Sequence, residues 1–206
     1  MHPSRSALVP GCLLLAVVAA LVVSGIRPAD RTTWWLEVTP ALVAIALLAA
    51  TFRRFPLTTL AYALIAFHVC VLALGGHYTY AEVPLGNWAK EAFHLSRNHY
   101  DRLGHVVQGF VPAIVAREVI LRTSSLRRGG WLAFLVVCVS VAISAAYELL
   151  EWATALVSAE ASQAFLGTQG DPWDTQWDMF LALVGAVAAL LVLSRLHDRQ
   201  LARLGA

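Results

Sequence analysis

Six stretches of roughly 20 predominantly apolar residues recur along this chain, and no other feature constrains its fold as strongly. They cover residues 8–26, 34–52, 57–76, 103–121, 131–156 and 177–193. Each is continuously apolar rather than alternating with period two, which suits helices and not the strands of a barrel. Composition agrees: hydrophobic residues make up 59%, charged residues 14%, and the mean hydropathy is +0.67. A soluble domain averages about 45–50% apolar and about 25% charged, so both a water-soluble globule and a disordered chain are excluded. The expectation is an all-α polytopic membrane protein, a bundle of six transmembrane helices forming one integral membrane domain over residues 1–206. Its surroundings are membrane lipids. A formal charge of +2 gives no reason to expect nucleic acid.

Charge asymmetry sets the expected orientation. Nine arginines (Arg5, Arg53, Arg54, Arg122, Arg127, Arg128, Arg195, Arg199 and Arg203) fall on one side. Five basic residues (Arg27, Arg31, Lys90, Arg97 and Arg102) fall on the other. The positive-inside rule then places both termini in the cytoplasm, with the long connections 76–102 and 157–176 outside. The first stretch also admits reading as a signal peptide with Arg5 as its basic region. Its apolar run exceeds the usual length, and no small-x-small cleavage site precedes Ile26, so a span is the preferred reading. Cys12, Cys70 and Cys138 fall in three different stretches, where they read as small apolar residues without a disulfide or a cysteine-rich metal motif. No repeat of fixed period and no low-complexity tract is visible.

Ionisable groups are costly in a membrane and mark function by default. On the fourth helix, His94, Asn98, Asp101, His105 and Gln108 share a stripe if the helix begins before the membrane. Asp101 and His105 then form an i,i+4 pair able to share a hydrogen bond or a metal, although closing a helix interface would explain the pair equally well. On the fifth helix, Ser140, Ser144, Glu148 and Glu151 make a second stripe. Two carboxylates one turn apart repel when both are ionised, so one holds a proton, both face a cation, or both sit solvated in the headgroup layer. The sixth helix opens on Gly170-Asp171-Pro172-Trp173-Asp174-Thr175-Gln176-Trp177-Asp178. Asp171 before Pro172 reads as an N-cap, and Asp174 suits the positive end of the helix dipole. Asp178 lies a turn deeper. Gly185 and Ala189 continue its stripe, so that face is expected to pack closely on another helix and Asp178 to point inward. Trp173 and Trp177 suit the aromatic belt at the membrane interface.

Other polar groups sort by depth. Glu37, His68 and His77 belong to the outer halves or ends of the second and third helices. Glu118 and Arg122 read as an i,i+4 pair near the cytoplasm beside Arg117, and His2 and His197 read as solvated tails. Nearly every unexplained carboxylate and imidazole therefore lies toward one side. The candidate catalytic residues are Asp101, His105, Glu148, Glu151, Asp174 and Asp178. Tyr100, Gln108, Tyr147, Gln169 and Trp173 are candidate binding residues. A divalent metal ion on His105, Glu148 and Asp178 is the cofactor this set would suit, with Arg102 and Gln108 as helpers.

Three strings carry a family resemblance: Arg97-Asn98-His99-Tyr100-Asp101-Arg102-Leu103-Gly104-His105, Tyr147-Glu148-Leu149-Leu150-Glu151-Trp152, and the run from Gly167 to Met179. Together with His77-Tyr78-Thr79-Tyr80 and Pro84-Leu85-Gly86, they make the chain similar to the YjdF-type bacterial inner-membrane proteins over nearly its whole length. The resemblance implies a multi-pass inner-membrane protein and brings no molecular activity with it. A looser similarity is to VanZ-like membrane proteins, where Asp101, His105, Glu148 and Asp178 would fill the acidic and histidine places. Glu151, Trp152 and Ala182 depart from the polar partners usual there. Three functions stay open: an enzyme acting on an envelope or lipid substrate at the outer face, an ion-coupled carrier, and a receptor or assembly protein whose polar cluster ties helices together. Against the first, no His-Glu-x-x-His or Gly-x-Ser-x-Gly motif occurs. Against the second, polar residues are lacking midway down the fifth and sixth helices.

Overall fold

The computed structural model describes residues 7–157 and 168–205, and those residues are helical wherever they are regular. Helix α1 is Leu8–Ser24, α2 Arg31–Thr51, α3 Thr59–Tyr78, α4 Pro84–Ala92, α5 Tyr100–Thr123, α6 Gly130–Val157 and α7 Asp174–Ala202. Helices α2, α3, α5, α6 and α7 are each long and apolar enough to cross a bilayer. With 17 residues, α1 is shorter, about 26 Å, at the lower edge of what a span needs. It stops two residues before the apolar stretch does. Gly25 ends it by donating back to Leu21 O, and the Trp34 indole lies so close that a Cβ there would stand 2.9 Å from Cζ2.

The helix ends follow from local chemistry. Asp30 caps α2, its carboxylate accepting the Thr33 N–H at 2.6 Å, and Thr58 caps α3 by accepting from Ala61 N at 3.2 Å. Connection 76–102 is partly ordered into a 3-10 turn at Tyr80–Glu82 and the short helix α4, which opens on Pro84. Asp171 is not the cap of the last helix. Its carboxylate accepts from Trp173 N at 2.9 Å in a tight turn, and α7 starts only at Asp174.

One end of the bundle carries the connections before α2, α5 and α7. The other carries the start of α1, the end of α7 and the turns before α3 and α6. We call these the loop end and the terminal end. Helices α5 and α7 run in the same direction and meet most closely. Gly109 sits against the carbonyl of Ala182 and Gly185 against the carbonyl of Val106, so a Cβ at either glycine would collide with backbone. Ala182, Ala186 and Ala189 complete the small-residue face of α7. Around this crossing, Val107, Val111, Ala113, Ile114, Leu132 and Val136 are buried. The bundle's outside carries large apolar residues such as Leu15, Phe67, Trp131, Leu149 and Leu191, as a lipid-facing surface requires. Cys12, Cys70 and Cys138 are free thiols on that surface.

A histidine and carboxylate cluster at the loop end

Helices α5, α6 and α7 each bring a polar face to the same depth. Asp101 and His105 on α5, Glu148 and Glu151 on α6, and Asp178 on α7 are all buried. The His105 ring is the hub. Its Nε2 lies 3.6 Å from Asp101 Oδ1 and 3.9 Å from Asp178 Oδ2, and its Nδ1 lies 3.8 Å from Glu148 Oε1. None of these separations is a formed hydrogen bond. His105 Nδ1, Glu148 Oε1, Asp178 Oδ1, Asp101 Oδ2 and the Ser144 hydroxyl are all buried and have no hydrogen-bond partner. Ligand atoms of His105, Glu148 and Glu151 lie within 4.8 Å of one another, as do those of Asp101, His105 and Asp178. Glu148 and Asp178 thus sit on opposite ring nitrogens, and the expected trio of His105, Glu148 and Asp178 does not form one such group.

A cavity of about 110 Å³ opens beside the ring. Asp101, His105, Gln108, Tyr147 and Glu151 line it from α5 and α6, together with Glu37, His68 and Tyr80. Pro40 and Pro112 also line it. Each lacks the N–H that would bond the carbonyl four residues back, which leaves the Leu36 and Gln108 carbonyls without their helical donor. Tyr80 is seated by two glycines: Gly75 leaves no room for a Cβ against the ring, and a Cβ on Gly104 would stand 2.9 Å from Cε1.

Glu37 is expected in the outer half or at the end of the second helix, outside the candidate site set. In the structure it is 3% exposed and accepts a hydrogen bond from the Tyr147 hydroxyl at 3.0 Å. The available signal was a carboxylate following Trp34 and Trp35 in an otherwise apolar run. His77, at the end of α3 as expected, ties α3 to α1, its Nδ1 lying 2.8 Å from Ser24 O.

Other expected site residues serve the rim. Asp174 pairs with Arg97 at 2.6 Å and Arg102 at 3.2 Å, while Asp171 pairs with Arg102 at 2.7 Å. Arg102 also lies over the Trp177 ring, 5.3 Å from its centroid. Outside the spans, the Trp173 N–H and then Arg102 hold the Asp171 carboxyl below the usual carboxylate range. Gln169 does not line the cavity and clamps Asn98, accepting from its N–H at 3.0 Å and donating to its carbonyl at 2.9 Å. Asn98 in turn fills the space over Gly86, donates to Val83 O and Asn87 Oδ1, and accepts from Tyr100 N. Tyr100 is buried and donates to Val71 O at 3.0 Å, which makes it a tie between α5 and α3. Trp173 is 64% exposed. Because α5 starts at Tyr100, the stripe expected to run from His94 stops short. Asn98 precedes the helix, and His94 lies on an exposed turn with φ at 52°.

A second buried cluster sits at the terminal end. Glu118 Oε1 accepts from Arg122 at 2.7 Å and from Thr58 N at 2.9 Å. Its Oε2 accepts from the Thr58 hydroxyl at 2.7 Å and lies 3.1 Å from His197 Nε2. Arg117 reaches His197 Nδ1 at 3.0 Å and Asp198 at 2.7 Å. The arginine can only donate to Nδ1, so Nε2 carries the hydrogen that Glu118 accepts. The pair Glu118–Arg122 is there as expected, but His197 is no solvated tail: it is fully buried. His2 lies outside the described residues.

A family model described as "Predicted membrane protein (DUF2238)" matches residues 9–199. The chain is 52% identical to the inner membrane protein YjdF of Escherichia coli (strain K12) over 191 residues, covering 93% of this chain and 91% of that protein. No solved structure matches it.

Proposed function

Since the chain belongs to this family of predicted membrane proteins, we propose that it is a multi-pass inner-membrane enzyme whose His105 centre acts on an amphiphilic envelope or lipid substrate. In this reading the loop end faces out and both termini are cytoplasmic, in line with the arginine asymmetry. The observation that carries the proposal is the set of buried atoms around His105 that make no hydrogen bond: its own Nδ1 and oxygens of Glu148, Asp178 and Asp101. A cluster that only tied helices together would have paired these groups, as unmet buried polar groups each cost about 1–3 kcal/mol. Held open beside a cavity, they suit a site that meets its partners when substrate arrives.

The chemistry available is general acid–base catalysis. The His105 centre, through its imidazole or a carboxylate beside it, can take a proton from an attacking water or hydroxyl and return it to the leaving group, with Asp101 orienting the ring. Glu37 and Tyr147 face the same cavity and can bond a polar headgroup. The tryptophans exposed at this end, Trp35, Trp88, Trp173 and Trp177, suit an interface where such a headgroup enters. An ion-coupled carrier is less well supported, because Val107, Val111 and Ile114 continue α5 below the site as apolar core.

The test is comparative lipid and envelope analysis of cells lacking the chain, restored with wild type or with His105→Ala or Asp178→Asn at equal membrane abundance. The variants should leave the same accumulated species as the deletion. Full restoration by both variants would defeat the enzymatic reading.

A further inference from the structure

The two ring nitrogens of His105 look into different surroundings, and the difference decides what each can do. On the Nε2 side, Asp101 and Asp178 approach, but Asp101 Oδ2 also lies 3.7 Å from the Arg97 guanidinium. A cation bound there would meet that positive charge. On the Nδ1 side stand Glu148 and, one turn further along α6, Glu151. Arg97 and Arg102 are engaged by Asp101, Asp171 and Asp174, which leaves Glu148 with His105 as its ion-pair partner. His105 is 5% exposed, Glu148 6% and Glu151 8%, and both His105 Nδ1 and Glu148 Oε1 lack any hydrogen bond.

We propose that His105 Nδ1, Glu148 and Glu151 bind one divalent first-row transition ion of the zinc class, with Asp101 accepting the Nε2 hydrogen of His105 and fixing the ring. The inference rests on the reading of His105 as the working centre and deepens it. Three observations meet here. The ligand atoms of the three residues already lie within 4.8 Å of one another. Donors bonded at about 2.0–2.2 Å around a tetrahedral ion stand roughly 3.3–3.6 Å apart, so a rotamer adjustment of both glutamates closes the site. Two carboxylates and a neutral imidazole present a charge that a divalent cation cancels, where otherwise two buried glutamates share one imidazole. An imidazole nitrogen in the set favours a transition ion over calcium or magnesium. A carboxylate on the far nitrogen is the usual support of a metal-binding histidine. His105 and Glu151 also line the cavity of about 110 Å³, so the remaining coordination positions face space for a few waters. Bound there, an ion would lower the pKa of a coordinated water and ready it as a nucleophile.

The experiment uses the full chain purified in detergent, stripped with a chelator and titrated with Co²⁺ alone, then with Zn²⁺ in competition. Wild type should bind one Co²⁺ per chain, with visible ligand-field bands that Zn²⁺ abolishes. His105→Ala, Glu148→Gln and Glu151→Gln should each lose at least tenfold in affinity. Asp101→Asn should weaken binding by about 10–100-fold while keeping the band pattern. The glutamine variants preserve side-chain volume, so they carry the test if His105→Ala does not elute as a monodisperse protein. Absence of stoichiometric Co²⁺ binding by wild type would overturn the proposal. So would unchanged binding in the glutamine variants, or loss on Asp178→Asn with retention in Glu151→Gln, which would put the ion on the other nitrogen. None of these readings depends on turnover. A bound ion with full restoration by both variants in cells would therefore reject the enzyme and keep the site.

Discussion

Two buried polar clusters share helices α5 and α7, and they are built on opposite plans. At the terminal end, Glu118 receives four hydrogen-bonding groups, and both nitrogens of His197 have partners. At the loop end, about 20 Å away along α5, His105 and its carboxylates approach one another without bonding. Both contain one histidine and at least one carboxylate, so residue type does not separate them. Satisfaction does. A fully bonded buried network specifies one packing of its helices, whereas an unsatisfied one costs stability and persists where something else uses it.

The largest expected effect tests the terminal cluster as a lock. Arg117→Met keeps the stem but strips His197 Nδ1 of its donor and leaves Asp198 with Arg128 as its ion-pair partner. Unfolding in mixed detergent should show a loss of about 3 kcal/mol, as for other buried pairs with one partner removed. A loss below about 1 kcal/mol would mean that the network stabilises no more than surface pairs do.

A smaller effect is expected at the crossing that holds both clusters in register. Gly185→Ala places a Cβ on the Val106 carbonyl, and the helices must separate to admit it. The cost should be about 1–3 kcal/mol, and the loop-end site should suffer with the fold. A variant with wild-type stability and full function would show that α5 and α7 need not touch for the clusters to form.

How much of this contrast could be read from the sequence differs between the two ends. Asp101, His105, Glu148 and Asp178 were legible because each lies toward the same end of a long apolar stretch. Glu37 was not, because depth alone cannot tell a carboxylate in the headgroup layer from one turned inward. His197 was assigned to a tail because the apolar run ends at Leu193, yet α7 continues to Ala202. The signal was present in Ala189, Leu193, His197 and Leu201, which repeat at four-residue spacing and keep one face apolar. The clamp between Asn98 and Gln169 was out of reach, since it joins residues 71 positions apart through side-chain geometry that no local pattern records. Asp171 was misread as a cap because Asp-Pro suits both a helix start and a tight turn, and the Arg102 pairing decides for the turn.

The smallest effect concerns the rim above the loop-end site. The Asp171 carboxyl is held below its ordinary value of 3.8, so ionisation is favoured more in the folded chain than in the unfolded one. Its contribution is therefore present at neutral pH and disappears as the pH falls through the lowered folded value. Melting of wild type and Asp171→Asn should differ slightly at neutral pH and converge in acid below that ordinary value. A gap that widened on acidification would reverse the sign of the argument.

The central claim, that one cluster is a lock and the other an open site, is tested most directly by unfolding two matched variants side by side. Glu118→Gln and Glu148→Gln make the same chemical change at the two ends of the same bundle. Glu118→Gln should lose about 2–3 kcal/mol, because it removes a charge that arginine, threonine and histidine all address. Glu148→Gln should be as stable as wild type in metal-stripped protein, or more stable, because it removes a buried charge with unmet bonds. Equal destabilisation of both variants would contradict the account, since it would make the His105 cluster a second lock.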